Sequence, residues 1–136
     1  MSGTIILRRL LAAMPAITAH VKDEDIIVDD VLPQDFVLPG ILLRSNNSIA
    51  YDVVKRGERR HVTERVRVET HCADAQSRLA IKDALRNAGD QKFPTRDGLE
   101  NIAVEFIGHM ADGMSPTTFV RMAVTDFRVS YSEPVT

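Results

Sequence analysis

The stretch Val62-Thr63-Glu64-Arg65-Val66-Arg67-Val68-Glu69-Thr70-His71-Cys72 decides the fold. Its apolar or small residues recur at every second position from Val66 to Cys72, and the residues between them are charged or polar. The polar set is Arg65, Arg67, Glu69 and His71. Side chains alternate between the two faces of a β-strand, so this pattern predicts a strand with one face on a core. The other face then meets water or a partner, and we expect Arg65 and Arg67 on it.

The residues that lead to this strand predict a broken helix and two short strands. Four apolar residues follow the spacing of one helix face: Leu7, Leu10, Leu11 and Met14. Pro15 disfavours helical geometry at the residue before it, so the helix should break there, with one more turn through Ile17 and Val21. Ile26–Val28 and Ile41–Leu43 are predicted strands, and Pro33 and Pro39 bracket an irregular connection between them.

Residues 46–60 predict a long polar hairpin arm, partly mobile. Asn46, Asn47 and Ser48 favour a turn, and Gly57 stands among charged residues. The segment has few large apolar side chains, so it cannot bury enough surface to order itself and should project from the sheet edge.

The residues after the central strand predict a second helix and a closing hairpin. Asp74 is a suitable N-cap and Gly89 a suitable residue beyond the helix end. The helical spacing between them is carried by Ile81, Ala84, Leu85 and Ala88. After a loop over 90–98, a strand is predicted from the alternation of Ile102, Val104, Phe106 and Met110. Turn residues follow over 111–116, and a last strand over 117–132 has Phe127, Val129 and Tyr131 on one face.

The sequence therefore predicts an α+β domain spanning 1–136. Its mostly antiparallel sheet has about five strands, with two helices packed on one face in the order α-β-β-β-α-β-β. Net charge is −2, from 17 Lys and Arg against 19 Asp and Glu, which argues against a dedicated nucleic-acid-binding domain. No apolar stretch is long enough to cross a bilayer, so we expect a soluble protein made in the cytoplasm, with no membrane partner.

Catalytic, metal and cofactor sites are all expected to be missing. Cys72 has no second cysteine to pair with, and its neighbour His71 should point to the opposite face of the strand, so the two cannot act as nucleophile and base. His20, His61 and His109 lack ligand spacing. The methionines at 110, 114 and 122 suit core filling better than a ligand surface.

Two charged clusters are the candidates for interaction. The acidic one consists of Asp23, Glu24, Asp25, Asp29 and Asp30 and lacks the turn glycine of a calcium loop, so it is read as a solvated or pore-lining patch that repels phosphates. The basic one consists of Lys55, Arg56, Arg59 and Arg60. It could be a solubilising hairpin tip, a docking surface for an acidic neighbour, or more weakly a nucleic-acid contact.

Several short segments resemble the tail-terminator (tail-completion) family of long-tailed, siphovirus-type bacteriophages. The resemblance spans nearly the whole chain and depends on the order of the segments. It starts with the broken opening helix at Leu10-Leu11-Ala12-Ala13-Met14-Pro15-Ala16-Ile17. The remaining segments are Val31-Leu32-Pro33, Leu38-Pro39-Gly40-Ile41, Arg65-Val66-Arg67-Val68-Glu69, Phe119-Val120-Arg121 and Asp126-Phe127-Arg128-Val129.

The resemblance implies a structural virion protein without enzymatic activity. Members of that family assemble as hexameric rings at the head-proximal end of the tail, cap the tail tube, stop its elongation and present a surface to the head–tail connector. DNA would then pass through the ring without specific binding. Assembly residues are expected in the arm and on the polar side of the central strand: Tyr51, Val53, Val54, Lys55, Arg56, Arg59, Arg60, Arg65 and Arg67.

Two rival functions remain open at this point. One is another neck or head–tail connector ring component, which would share the size and composition of a terminator. The other is a small α+β ligand-binding domain or enzyme, which would need convergent polar groups between sheet and helices.

Overall fold

The computed structural model describes residues 2–28, 38–45, 51–56, 59–87, 100–110, 113–114 and 120–134. Within these ranges, residues 2, 51–56, 59–60, 100–101 and 113–114 are described by their backbone alone. The helices are α1 (Ser2–Ala13), α2 (Pro15–Thr18) and α3 (Ala75–Arg86), with a 3-10 turn at Asp23–Asp25. The strands are β1 (Ile26–Val28), β2 (Gly40–Ser45), β3 (Tyr51–Arg56), β4 (Arg59–Cys72), β5 (Glu100–His109), β6 (Gly113–Met114) and β7 (Arg121–Pro134).

The predicted α+β class is confirmed. Five strands follow the order β1-β2-β4-β7-β5, while the short strands β3 and β6 pair beside them with β4 and β7. The β1–β2 pair is parallel and the other described pairs are antiparallel. The helices α1 and α3 both pack on one face of this sheet, as the sequence predicted.

Strand β4 is the centre of the sheet and longer than its sequence pattern indicated. It starts at Arg59 instead of Val62 and pairs with β7 over its whole length. Its other side is shared, because β2 pairs with its C-terminal half and β3 with its N-terminal half. The arm is thus a hairpin at backbone level, in which Tyr51–Arg56 pairs back onto β4. Residues 46–50 and 57–58 lie outside the described residues.

Alternation along β4 defines two sheet faces, here called the inner and the outer face. The inner face carries Val62, Val66, Val68 and Cys72, all fully buried. Phe127, Val129 and Tyr131 of β7 lie on the same face, opposite Val66, Glu64 and Val62 in register, and are also buried, as predicted. The helices supply the other half of the core through Leu7, Leu10, Leu11, Ile17, Ile81, Ala84 and Leu85.

The helix boundaries follow local signals. Chain direction changes at Met14–Pro15, which separates α1 from α2 as expected, and Ile17 and Val21 are fully buried. Asp74 caps α3 by accepting a 2.7 Å hydrogen bond from the Ser77 backbone N–H at its Oδ1. Helix α3 ends at Arg86 with Asn87 as its C-cap. Ala88, Gly89 and the predicted loop lie outside the described residues.

Three local predictions near the end of the chain were wrong. Strand β5 contains a bulge between Phe106 and Gly108, which reverses the alternation beyond it. Met110 is therefore 49% exposed, and neither it nor the half-buried Met122 fills the core. The expected turn over 111–116 contains strand β6, where Gly113 and Met114 pair with β7.

Candidate assembly surface

The outer face of the sheet is a mixed array of charges centred on arginines. Its cations are Arg44 on β2, Arg65 and Arg67 on β4, and Arg128 on β7. Its anions are Glu69 on β4, Asp126 on β7 and Glu105 on β5. Because β4 alternates strictly, every second residue of the central strand is delivered to this face. The sequence therefore placed Arg65 and Arg67 on the correct face, where both are half-buried.

The sheet register places the arginines directly opposite one another. Arg44 pairs with Arg67 across β2 and β4, and Arg65 pairs with Arg128 across β4 and β7. Like charges in cross-strand pairs destabilise a sheet unless nearby anions offset them. The carboxylates of the outer face are therefore needed to offset the repulsion between its paired arginines.

Three of the four arginines have an acidic partner. Arg44 Nε lies 3.0 Å from Glu69 Oε2, and Arg128 donates a 3.1 Å hydrogen bond from Nη1 to Glu105 Oε2. Arg67 Nε lies 3.5 Å from Oδ1 of Asp126, whose side chain is only 6% exposed. The Arg128–Glu105 pair is exposed to solvent and contributes little stability, whereas Asp126 needs its cation because it is withdrawn from water.

Arg65 differs from the other three. No carboxylate forms an ion pair with it in the described part of the chain, and its Nε, like those of Arg44 and Arg67, is buried without a hydrogen-bond partner. A guanidinium that is half-buried and faces another arginine is poorly placed for the isolated chain. It is well placed for an incoming anion, since its fork of N–H donors matches a carboxylate.

The remaining titratable residues of β4 do not form a reactive pair. His71 lies on the outer face, where burial lowers its pKa, while Cys72 points into the core. Burial raises the pKa of the Cys72 thiol to about 11, so the thiol stays protonated at neutral pH. The predicted separation of these two side chains is confirmed.

One buried polar cluster was missed from the sequence. Glu64 lies on the inner face with 1% exposure, and its Oε2 accepts hydrogen bonds from the Gly3 backbone N–H at 2.6 Å and the Tyr131 hydroxyl at 2.8 Å. The carboxylate thereby caps the start of α1 from the sheet, where the helix dipole favours a negative charge. The alternation from Val66 backwards already assigned Glu64 to the inner face, so the signal was present.

A second polar contact follows from the bulge in β5. Beyond the bulge, His109 faces Thr125, and His109 Nδ1 lies 2.8 Å from Thr125 Oγ1. Phe106 packs edge-to-face on His109 and on Phe127, with ring centroids 5.0 and 5.9 Å apart. These side chains pack at the edge of the core, where Phe106 and His109 are half-buried.

The predicted acidic and basic clusters lie on different elements of the fold. Asp23, Glu24 and Asp25 form the 3-10 turn before β1, with Asp23 and Glu24 exposed. Asp29 and Asp30 lie outside the described residues. The arm residues lie in the β3–β4 hairpin, whose register places Lys55 opposite Arg60 and Arg56 opposite Arg59. Tyr51, Val53 and Val54 lie on β3.

The described residues contain neither a cluster of metal ligands nor a membrane-spanning helix. No three His, Cys, Asp or Glu side chains in those ranges come close enough together to hold a metal ion. None of the helices found there is long and apolar enough to cross a membrane.

Comparison with known proteins gives a likeness of fold. No family model matches the chain, and no similar curated protein is found. The structure is similar to a chain in the virion of a native gene transfer agent particle, with a TM-score of 0.57 and 16% identity. The likeness covers 91% of this chain and 90% of that chain. At this identity it shows that the two chains share a fold over nearly their full lengths.

Proposed function

We propose that this chain is a structural subunit of a virion, without enzymatic activity. The observation that carries the proposal is the end-to-end likeness to a chain of a gene transfer agent virion. The polar groups of the chain also suit surface contact better than chemistry. The charges of the outer face are arranged in cross-strand rows, while the thiol of Cys72 is buried with a raised pKa.

Within the virion, the proposed role is that of a tail terminator. The chain would form a hexameric ring at the head-proximal end of the tail, cap the tail tube, stop its elongation and contact the connector. The sequence resemblance supports this role, and the fold is compatible with it because a single layered sheet leaves its edges and outer face available to neighbours. DNA would pass through the ring without specific binding.

Two surfaces are proposed to make the contacts of the ring. One is the outer face with Arg65 and Arg67. The other is the hairpin arm, where Lys55, Arg56, Arg59 and Arg60 occupy paired positions at the tip. Cationic residues at paired positions weaken a free hairpin, and an acidic surface on the tube or on a neighbouring subunit would offset that repulsion.

The decisive experiment deletes the gene for this chain from the genome that encodes the particle. The tail lengths of the resulting particles are then measured by electron microscopy. A terminator predicts overlong tails, which complementation with the wild-type gene returns to normal length. Tails of normal length that fail to join heads would instead identify a connector ring. Particles that contain no trace of this chain by mass spectrometry would refute the virion role itself.

A further inference from the structure

Among the described residues, no carboxylate offsets the charge of Arg65. Arg65 stands opposite Arg128 in the β4–β7 register, and Arg128 is already engaged by Glu105. Like charges directly opposite each other destabilise a sheet. The monomer would therefore be no less stable with a neutral or acidic residue at position 65. Because the Arg65 guanidinium does not stabilise the monomer, we expect its counter-ion to be an anionic group on a binding partner.

The anion that fits this site is a protein carboxylate. Glu69, Asp126 and Glu105 are interleaved with the arginines, so a continuous phosphate backbone laid across the face would meet three like charges. In the described part of the sheet, no Phe or Tyr side chain stands among these outer-face charges to stack on bases. Alternating charges in a fixed register instead suit a protein surface with a complementary pattern.

A second outer face has no unengaged carboxylate to offer Arg65, because Glu69, Asp126 and Glu105 each pair with an arginine of their own face. A two-fold contact uses the same patch twice and would therefore leave Arg65 without an anion. A second copy must therefore present a different and acidic surface. The chain has one in the 3-10 turn, where Glu24 and Asp25 have no ion-pair partner among the described residues.

This acidic turn is held in a fixed conformation before any partner arrives. Arg8 of α1 donates from Nε to the Ile26 carbonyl at 3.0 Å and from Nη2 to the Asp23 carbonyl at 3.0 Å. Its guanidinium also lies 3.5 Å from the Asp23 carboxylate. Arg8 thus pairs with Asp23 and holds the backbone of the turn, while Glu24 is exposed and Asp25 is half-buried. A rigid turn loses less conformational entropy on binding.

We propose that the outer face, through Arg65, receives the acidic turn Asp23–Asp25 of a second copy of this chain. The contact joins two different surfaces, so it is head-to-tail and can close into a ring. This inference rests on the ring assembly proposed above and names the surfaces that join neighbouring subunits. The β1 edge, which follows the turn, would then lie beside the outer face of the next subunit.

Charge exchange tests this pairing in solution. Sedimentation velocity of the purified full-length chain would compare wild type, Arg65→Glu, Glu24→Lys/Asp25→Lys and the triple variant that combines them. We expect each partial variant to self-associate at least about tenfold more weakly than wild type, and the triple variant to recover most of the loss. Two control variants lie on exposed positions of α3 and should have no effect on association. Arg86→Glu has the same charge change as Arg65→Glu, and Asp83→Lys reverses one acidic residue, half of the change in Glu24→Lys/Asp25→Lys.

Thermal unfolding separates docking from folding in these variants. Arg65→Glu should melt at or above the wild-type temperature, because it replaces an arginine–arginine opposition by an ion pair with Arg128. A loss of association in a variant with an unchanged melting temperature therefore locates the effect at the interface.

Several results would overturn the proposal. They are a wild-type chain that stays monomeric at about 100 μM, an Arg65→Glu variant that associates normally, and a triple variant no better than its parents. Salt-dependent binding of duplex DNA by a monomeric wild type, lost in Arg65→Glu, would assign the face to nucleic acid instead. If the chain is present in particles but the variants do not lose and recover association as expected, only this inference is refuted. If the variants behave as expected but the chain is absent from particles, only the virion role is refuted.

Discussion

Glu64 joins three elements through one carboxylate. It binds the first turn of α1 and the Tyr131 hydroxyl of β7 from its position on β4, all out of contact with water. Glu64→Ala would remove the acceptor of the hydrogen bonds from the Gly3 N–H and the Tyr131 hydroxyl and leave a cavity, so we expect a loss of about 2–4 kcal/mol of unfolding free energy. Glu64→Gln keeps an acceptor and should lose less. Chemical denaturation measures both.

Glu105 provides the control for this prediction. Its carboxylate is 63% exposed, and Glu105→Ala should change stability by no more than about 0.5 kcal/mol.

Gly3→Ala should resemble Glu64→Ala, because a Cβ at Gly3 would lie 2.5 Å from Glu64 Oε2. An unchanged midpoint for Glu64→Ala would mean that the carboxylate does not hold α1.

Neighbouring residues of β4 should respond differently to substitution. Val68 is fully buried, and Val68→Asp would place an unpaired charge in the core at a cost of several kcal/mol. Arg67→Ala should cost less, although more than an ordinary surface change, because it strands the nearly buried Asp126. The double variant Arg67→Ala/Asp126→Asn should recover part of that loss. Equal destabilisation by Val68→Asp and Arg67→Ala would contradict the strand register.

At the scale of elements, helix α3 depends on its N-cap. The Ser77 backbone N–H donates to Asp74 and holds the pKa of that carboxyl below its ordinary value of 3.8. A carboxyl with a lowered folded pKa stabilises the fold above its unfolded pKa, and the contribution is lost as the pH falls through the folded pKa. Asp74→Asn retains a cap without the charge. We therefore expect wild type to melt above Asp74→Asn at pH 7, with the gap closing towards pH 3.

Two further variants complete this comparison. Asp74→Ala removes the cap altogether and should melt lower than Asp74→Asn at both pH values. Asp83→Asn on the exposed side of the same helix should not reproduce the difference. A gap between wild type and Asp74→Asn that persists unchanged at pH 3 would show that the charge of the cap is irrelevant.

At the scale of the whole molecule, the arm is proposed to contribute to assembly and not to the core. Replacing Lys55 and Arg60, which are paired at the hairpin tip, with glutamine should leave the melting temperature unchanged or slightly higher. The same variant should cap tails poorly, which tail length by electron microscopy would reveal. Arg9→Gln/Arg86→Gln, with the same charge change on the helices, should cap normally. Normal tails from the Lys55/Arg60 variant would reduce the arm to a loop.

Local signals determined the elements of this protein. The alternation from Val66 to Cys72 specified the central strand and which side chains it buries, since a strand has a period of two residues. Pro15 specified the break between α1 and α2, and Asp74 the start of α3, because each acts on backbone groups within a turn. These features depend on contacts between residues close in sequence, so they were readable from the sequence.

Only the tertiary structure decided how the elements share β4 and which charges meet. The division of one strand edge between β2 and β3 depends on pairing between segments far apart in sequence. The bulge after Phe106, which exposed Met110, depends on the register with β7. The opposition of Arg65 to Arg128 brings together residues 63 positions apart, and no local pattern encodes it. Cross-strand electrostatics is a property of register, and register is fixed by the packing of the whole core.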